Sequence, residues 1–279
     1  MTSEREEFKI ESIPKMRRFA LDAGYLGRRR HIVHGLIEVD VTETRNFIKE
    51  HKLKTGETLS FTAFIILCLS KAIENNPHMH AFRNWRNQLV IFEDVNINSM
   101  VEIDRNGKKI PIPHIFKAVN QKSYVEIHNE IRSTQKNPRQ TTESNFMEWF
   151  LVLPAFIRRI FYWIVMKVPH LFRQYSSSVM VTAVGMFGQG GGWGITMPNF
   201  TLTVTVGGIA KKPGVVEDKI EIREYLDLTI SIDHDVVDGA PMVRFVNYFR
   251  GLIENGYGII EKPANPSLSR PASQRRTVR

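Results

Sequence analysis

Leu226-Asp227-Leu228-Thr229-Ile230-Ser231-Ile232-Asp233-His234-Asp235-Val236-Val237-Asp238-Gly239 is an alternating run that meets a histidine and then turns. Leu226, Leu228, Ile230 and Ile232 fall on one side and Asp227, Thr229 and Ser231 on the other, the period of two expected of a half-buried strand. Pro241 opens a helix in which Met242, Val243, Phe245, Val246, Phe249, Leu252 and Ile253 recur at helical spacing, and Gly256 stops it. His234 and Asp238 therefore sit on a strand-to-helix connection, where a rigid scaffold presents chemistry. From the residues alone His234 reads as a candidate general base or as an exposed structural histidine, and Asp238-Gly239 as a site pair or as a turn and cap.

The spacing His234-x-x-x-Asp238-Gly239, with Ser231-Ile232-Asp233 before it and Ala240 after, resembles the His-x-x-x-Asp-Gly signature of the 2-oxoacid dehydrogenase E2 acyltransferase catalytic domains, relatives of chloramphenicol acetyltransferase. Met16-Arg17-Arg18, His34 and Glu38-Val39-Asp40-Val41-Thr42 resemble the family's opening segment, and Ser178 to Gly188 resembles its Phe-Thr-Ile-Ser-x-Leu-Gly strand. Each motif is short; their common order carries the resemblance. It covers residues 12 to 258, less one insertion.

The resemblance implies acyl transfer between coenzyme A, present as an acyl-CoA substrate, and an acceptor nucleophile. Transfer is direct, without a metal or a covalent enzyme intermediate. His234 would be the base and Thr182 the hydroxyl that steadies the oxyanion. Asp238 would hold the turn through an ion pair with Arg17 or Arg18, Gly239 belonging to the same support. The fold implied is a chloramphenicol acetyltransferase-like layer that forms a homotrimer or a larger trimer-based assembly, with the active site between chains.

Composition sets outer bounds. At 279 residues, 42% hydrophobic and 24% charged, the chain is long enough for one large domain or two small ones. The single cysteine, Cys68, excludes an intramolecular disulfide framework and lies among apolar neighbours, which argues against a cysteine acyl-enzyme. The N-terminus carries charges where a secretory signal needs an apolar run, so the expected location is cytoplasmic. A net charge of +9 favours anionic partners, among them nucleic acid, acidic membranes and coenzyme A phosphates. Arg28-Arg29-Arg30-His31 has no interleaved aromatics and no nucleic-acid motif beside it. It reads as a solvated basic turn, and no nucleic-acid partner is expected.

Along the chain, residues 1–11 are a charged lead, 12–260 a catalytic domain and 261–279 a basic, Pro/Ser-rich tail expected to be disordered. Helices are predicted from Met16, from Thr42 as cap through His51, and over Ser60 to Asn76, capped by Ser60 and ended by Pro77. Ser123-Tyr124-Val125-Glu126 is a capping box opening another. Strands are expected at Ile37–Val41, Leu89–Phe92, Val95–Ile103, Ile110–Phe116, Ser178–Val184, Phe200–Ile209, Ile220–Arg223 and Leu226–Ile232. Strands and helices mix without strict alternation, which predicts an α+β fold with a mixed sheet layered against helices. The run Gly188 to Gly194 reads as a flexible loop, since no P-loop Lys-Ser/Thr follows.

Phe146 to Phe172 departs from the family pattern as an apolar insertion broken by Pro154, Arg158-Arg159 and Lys167. It is not expected to span a bilayer, which takes about 20 consecutive apolar residues. Two readings stand: a pair of buried helices, or a surface meeting lipid, an apolar acceptor or another subunit, with the basic residues at its rim. A membrane contact through 146–172 would make the protein peripheral to a membrane. The chain also shows no Asp-Lys-Ala lipoylation motif, so no attached lipoyl group is expected. The acceptor would come in trans, from a lipoyl protein or a small molecule. A non-catalytic E2-like scaffold is the competing function.

Overall fold

The computed structural model describes residues 9, 11–14, 17–28, 30–105, 107–136, 150–185, 190–197 and 199–260. Met16, the first residues of the insertion (146–149) and the tail 261–279 lie outside them. In chain order the elements are α1 (Arg17–Gly27), β1 (Ile32–Asp40), α2 (Thr42–Thr55), α3 (Phe61–Asn75), β2 (Phe82–Arg83), β3 (Leu89–Val90), β4 (Ile97–Arg105), β5 (Lys108–Phe116), α4 (Tyr124–Lys136), α5 (Ala155–Val165), α6 (Pro169–Tyr175), β6 (Val179–Ala183), β7 (Leu202–Val216), β8 (Lys219–Asp233) and α7 (Gly239–Glu254). Six strands form one mixed sheet in the order β1-β8-β7-β6-β4-β5, parallel at β4/β6 and β6/β7 and antiparallel elsewhere. The α+β layer expected from the sequence is what the chain builds.

Alternation along each strand divides the sheet into two unlike faces. Leu226, Leu228, Ile230 and Ile232 of β8 share the core with Leu202 and Val204 of β7, Val179 and Val181 of β6 and Val39 of β1. α3 and α7 cover that face with Phe64, Ile65, Leu69, Phe245, Phe249 and Ile253. Each fully buried side chain of this size contributes roughly 1.5–3 kcal/mol. The opposite face carries Thr203, Thr205, Asp227, Thr229 and Ser231, all buried although polar.

Local signals account for the starts of α3 and α4. Ser60 accepts a hydrogen bond from the Ala63 amide at 3.2 Å and caps α3. The capping box of α4 closes both ways, Ser123 N–H to Glu126 at 2.7 Å and Glu126 N–H to the Ser123 hydroxyl at 3.3 Å. The Ser123 amide, and then the Ser123 hydroxyl at 2.8 Å, donate to the Glu126 carboxylate and hold it below its usual range. The cap of α2 differs from expectation: Thr42 is its first residue and donates its hydroxyl to Asp40 at 2.6 Å, because that carboxylate already accepts the Thr42 amide. Cys68 is wholly buried in α3, and burial pushes its thiol well above the ordinary range.

The strands predicted at Ile220–Arg223 and Leu226–Ile232 are one continuous β8, and β7 runs on to Val216. Beyond Ala183 on one side and Asp40 on the other, β7 and β8 pair only with each other and form a two-stranded ribbon. At the root of the ribbon the register slips between Val206 and Ile209, at Gly207-Gly208. A Cβ on Gly208 would stand 2.1 Å from the Gly190 carbonyl oxygen, so only glycine admits the loop that crosses here. That loop, the described end of the glycine-rich run, is docked: the Gly192 amide donates to Asp227, and Trp193 Nε1 donates to the Ile37 carbonyl at 3.2 Å.

The insertion forms α5 and α6. Phe156, Ile160 and Trp163 of α5 are 57–64% exposed, a stripe at helical spacing beside exposed Leu21 and Tyr25 of α1. Of the basic residues expected at its rim, Arg158 does not lie there. Arg158 is buried and paired with Asp22 at 2.6 Å, and the Arg159 guanidinium lies 4.0 Å over the Tyr25 ring. Among the described residues no helix is long and apolar enough to cross a membrane.

Candidate active site

β8 ends at Asp233, and Val236 and Val237 fold back to donate to the Asp233 carbonyl at 3.0 and 3.1 Å. The resulting turn presents His234, Asp235 and Asp238 ahead of α7. β1 runs antiparallel beside β8 with Ile32 opposite Asp233, so the residues just before β1 reach the turn. The His234 amide donates to the His31 carbonyl at 2.8 Å. Arg30 donates to Asp233 at 2.6 Å, and the other Asp233 oxygen accepts the Asp235 amide at 3.2 Å. Asp235 in turn binds His31 at 2.8 Å and Arg83 of β2 at 3.5 Å. The His31 hydrogen bond holds the Asp235 carboxyl below its ordinary value, with the charges of His31, Arg83 and Arg30 adding to it.

The backbone of the turn is thus fixed on both sides while the His234 side chain is left exposed, without a hydrogen-bond partner among the described residues. An imidazole held in that way is available to an incoming proton donor. Arg30, His31, Asp233, Asp235 and Arg83 were not among the residues expected at the site. The basic run Arg28 to His31 reads as a solvated turn, yet two of its members are tied to acids flanking His234. The available signal was the strand period: a basic pair just before β1 and an acid pair around His234 become neighbours once β1 and β8 pair.

The ion pair expected between Asp238 and Arg17 or Arg18 is not among those the described residues make. Asp238 is exposed at the N-cap position of α7, and its carboxylate makes no capping bond. Arg18 donates instead to the Leu151 carbonyl at 3.1 Å and Arg17 is exposed, because α1 packs on α5 of the insertion and not on the turn. The space beside Gly239 is open, so no contact demands glycine there.

Thr182 lies on β6, its side chain on the polar face, in register with Thr205 of β7, which is opposite Thr229 of β8. From Thr229 to His234 is roughly 16 Å along the strand, and β6 lies two strand spacings, about 10 Å, to the side. The chain therefore holds His234 and Thr182 roughly 20 Å apart. Within one chain they do not meet. Val184, two residues beyond Thr182, and Trp193 on the loop that crosses the ribbon root are exposed, as is Leu36 opposite Thr229, and among the described residues the buried Thr229 hydroxyl lacks a partner.

The model of the family described as 2-oxoacid dehydrogenases acyltransferase (catalytic domain) matches residues 31–145 and 174–260. The dihydrolipoyllysine-residue acetyltransferase component of the pyruvate dehydrogenase complex of Rickettsia conorii is 27% identical over 219 residues, 78% of this chain and 45% of that protein. The chain thus spans about half the length of the curated relatives it matches. Among solved structures, the Azotobacter vinelandii dihydrolipoamide acetyltransferase has a TM-score of 0.65 at 19% identity, covering 90% of this chain and 94% of that one. A truncated catalytic core of the 2-oxoacid dehydrogenase multienzyme complex from Thermoplasma acidophilum has a TM-score of 0.64 at 20% identity, covering 90% and 100%. The two structures share the fold, the family match takes in β1, the sheet and the whole His234 turn, and the chain belongs to the 2-oxoacid dehydrogenase acyltransferase (catalytic domain) family.

Proposed function

We propose that this chain is the catalytic part of a coenzyme A-dependent acyltransferase that moves an acyl group between coenzyme A and a thiol in one direct step. The observation that carries the reading is the free His234 imidazole on a turn fixed by Arg30, His31 and Arg83, in a chain of this family. A thiol of pKa about 8.5 is mostly protonated at neutral pH, so neutral His234 takes the S–H proton as the sulfur bonds to the thioester carbonyl carbon. The carbonyl oxygen becomes an oxyanion. Its collapse breaks the C–S bond to the leaving thiol, and the imidazolium returns the proton to that sulfur.

Thr182 serves as the oxyanion donor from a second copy of the chain, since its own His234 is out of reach. Exposed Val184 beside Thr182, exposed Leu36 farther along the same face and the Thr229 hydroxyl, unpaired among the described residues, support an interface on this face. Such an interface joins different patches of two copies, and a homotrimer is the smallest ring that closes it symmetrically beyond a pair. In the Azotobacter vinelandii relative a serine, a histidine and an asparagine have been investigated for their role in the mechanism. Thr182, His234 and Asp238 offer a hydroxyl, an imidazole and a carboxylate here. The acceptor comes in trans, as a dihydrolipoyl group on another protein or as a small thiol.

The test is to incubate the protein with a panel of acyl-CoA donors and dihydrolipoamide and to measure coenzyme A release. Turnover with any donor supports the enzyme; an intact oligomer silent with all of them supports the second reading, an assembly scaffold docked through the exposed α5 stripe. Thr182→Val is expected to lower kcat by roughly 10² with little change in KM, because the hydroxyl meets only the developing oxyanion. A change confined to KM assigns Thr182 to substrate binding.

A further inference from the structure

Asp227 stands in the middle of β8, 1% exposed, on the polar face that carries Thr182. Its Oδ2 accepts the Gly192 amide. Its Oδ1 has no hydrogen-bond partner among the described residues; Lys212 stands 3.9 Å from it and is bonded to Glu38 at 2.5 Å. Burying a carboxylate opposes folding unless the charge is matched, and one loop amide with an ion pair at the limit of contact matches it only in part. What the group does achieve is a charge-assisted bond, about twice as strong as a neutral one, to the loop Gly190 to Met197.

That bond decides where the loop lies. The Gly208 amide donates to the Gly192 carbonyl at 2.9 Å, so Gly192 is held through both its polar groups. Farther along, the Thr196 hydroxyl is 3.4 Å from that of Thr205. Between the two attachments the loop touches the sheet: a Cβ on Gly194 would stand 2.7 Å from a Val184 methyl and 3.1 Å from the Thr205 methyl. Val184 and Thr205 both flank Thr182, one two residues on in the chain and the other across from it on β7. The loop therefore packs on the side chains to either side of Thr182, and it is fastened by Asp227 and Thr196.

We propose that Asp227 is a positioning residue for Thr182, holding the loop Gly190 to Met197 against the flanking side chains so that the Thr182 hydroxyl keeps one direction. The proposal rests on the assignment of Thr182 as oxyanion donor and names the group that fixes it. A threonine hydroxyl rotates to suit its surroundings, and a donor is most effective when it is already aimed as the charge develops. A displacement of about 1 Å at the reacting groups can lower a rate by roughly 10²-fold.

The experiment compares the parent with Asp227→Asn, which keeps an acceptor for the Gly192 amide, and with Asp227→Leu, which has none, each alone and combined with Thr182→Val. Coenzyme A release gives kcat and KM, and hydrogen exchange read by mass spectrometry follows peptides covering 179–184 and 190–197. Asp227→Leu is expected to lower kcat by roughly 10- to 100-fold with KM changed by less than about twofold, and to speed exchange in both peptides. Asp227→Asn regains most of the activity. In the Thr182→Val background the substitution to leucine has no further effect on kcat, because no hydroxyl is left to aim. A residue that only supports the fold lowers both backgrounds alike; that additivity, or an unchanged kcat in Asp227→Leu, overturns the proposal. If Asp227→Leu does not fold, Thr196→Val removes the other fastening at nearly constant volume and is expected to lower kcat in the parent but not in Thr182→Val; equal effects in the two overturn the proposal. A parent that releases no coenzyme A with any donor defeats the acyltransferase reading, and the exchange data then decide the positioning alone: faster exchange over 179–184 in Asp227→Leu upholds the hold on Thr182, and unchanged exchange overturns it.

Discussion

His234→Ala is expected to lower the transfer rate by about 10²- to 10⁴-fold while leaving melting temperature and oligomer size unchanged. The range is what a positioned general base contributes. The second half of the expectation follows from how the turn is held. Its backbone is fixed through the His31 carbonyl, and its charges through Asp233 and Asp235, so the His234 side chain carries none of the packing. Coenzyme A release, thermal melting and size-exclusion elution read the three quantities separately. A variant that transfers as fast as the parent removes His234 from the mechanism; one that is inactive and unfolded leaves the histidine a structural part.

The largest effect on stability is expected from Asp22→Ala. Asp22 and Arg158 are 2% and 5% exposed in their side chains, and Arg158 also donates to the Leu153 carbonyl. Removing the acid leaves a buried guanidinium without its counter-charge, which costs about 3–5 kcal/mol. For a domain of this size that lowers the melting midpoint by roughly 6–15 °C. Tyr162, whose phenol is pushed up to about 12 by burial and then by the Asp22 charge, lies in the same pocket and would lose its main charged neighbour. Melting and limited proteolysis of α5 read the change, and Asp22→Met with Arg158→Met should recover part of it. If the single and double variants fall by the same amount, the pair does not hold the insertion. By contrast Asp238→Asn is expected to leave the midpoint nearly unchanged, since the exposed carboxylate makes no capping bond and has no ion-pair partner among the described residues.

Legibility tracked the distance over which each feature is determined. The alternation of Leu226 to Ile232, the Ser60 cap and the Ser123 box are local patterns, and the fold bears them out. Of the outer ribbon the β8 half was expected at Ile220–Arg223, but the extension of β7 past Ile209 was not; Pro213 is tolerated in it because β7 has a partner on one side only there, leaving the other edge free. At the site, His234 and its turn could be read from spacing, but the groups that hold the turn could not. Arg30 and Asp233 are 203 residues apart in sequence, and only the β1–β8 register makes them neighbours. The pairing of Asp238 with Arg17 or Arg18 came with the resemblance; in this chain the insertion has drawn α1 to itself.

The same register bears on the order in which the molecule is made. β1 leaves the ribosome long before β8, yet they are adjacent in the sheet, with β1 as its edge. Until β8 emerges, β1 has no neighbour, its polar and apolar edges are open, and Arg30 has no acid to bind. At roughly 5–20 residues per second that wait lasts on the order of 10–40 s. A nascent chain can pack α3 and α4 against β4 early, because those contacts are close in sequence, but the closing of the sheet is a late and long-range event. The turn that carries His234 takes shape only with that closure, so a chain interrupted before β8 would hold much of the hydrophobic core and none of the reactive geometry.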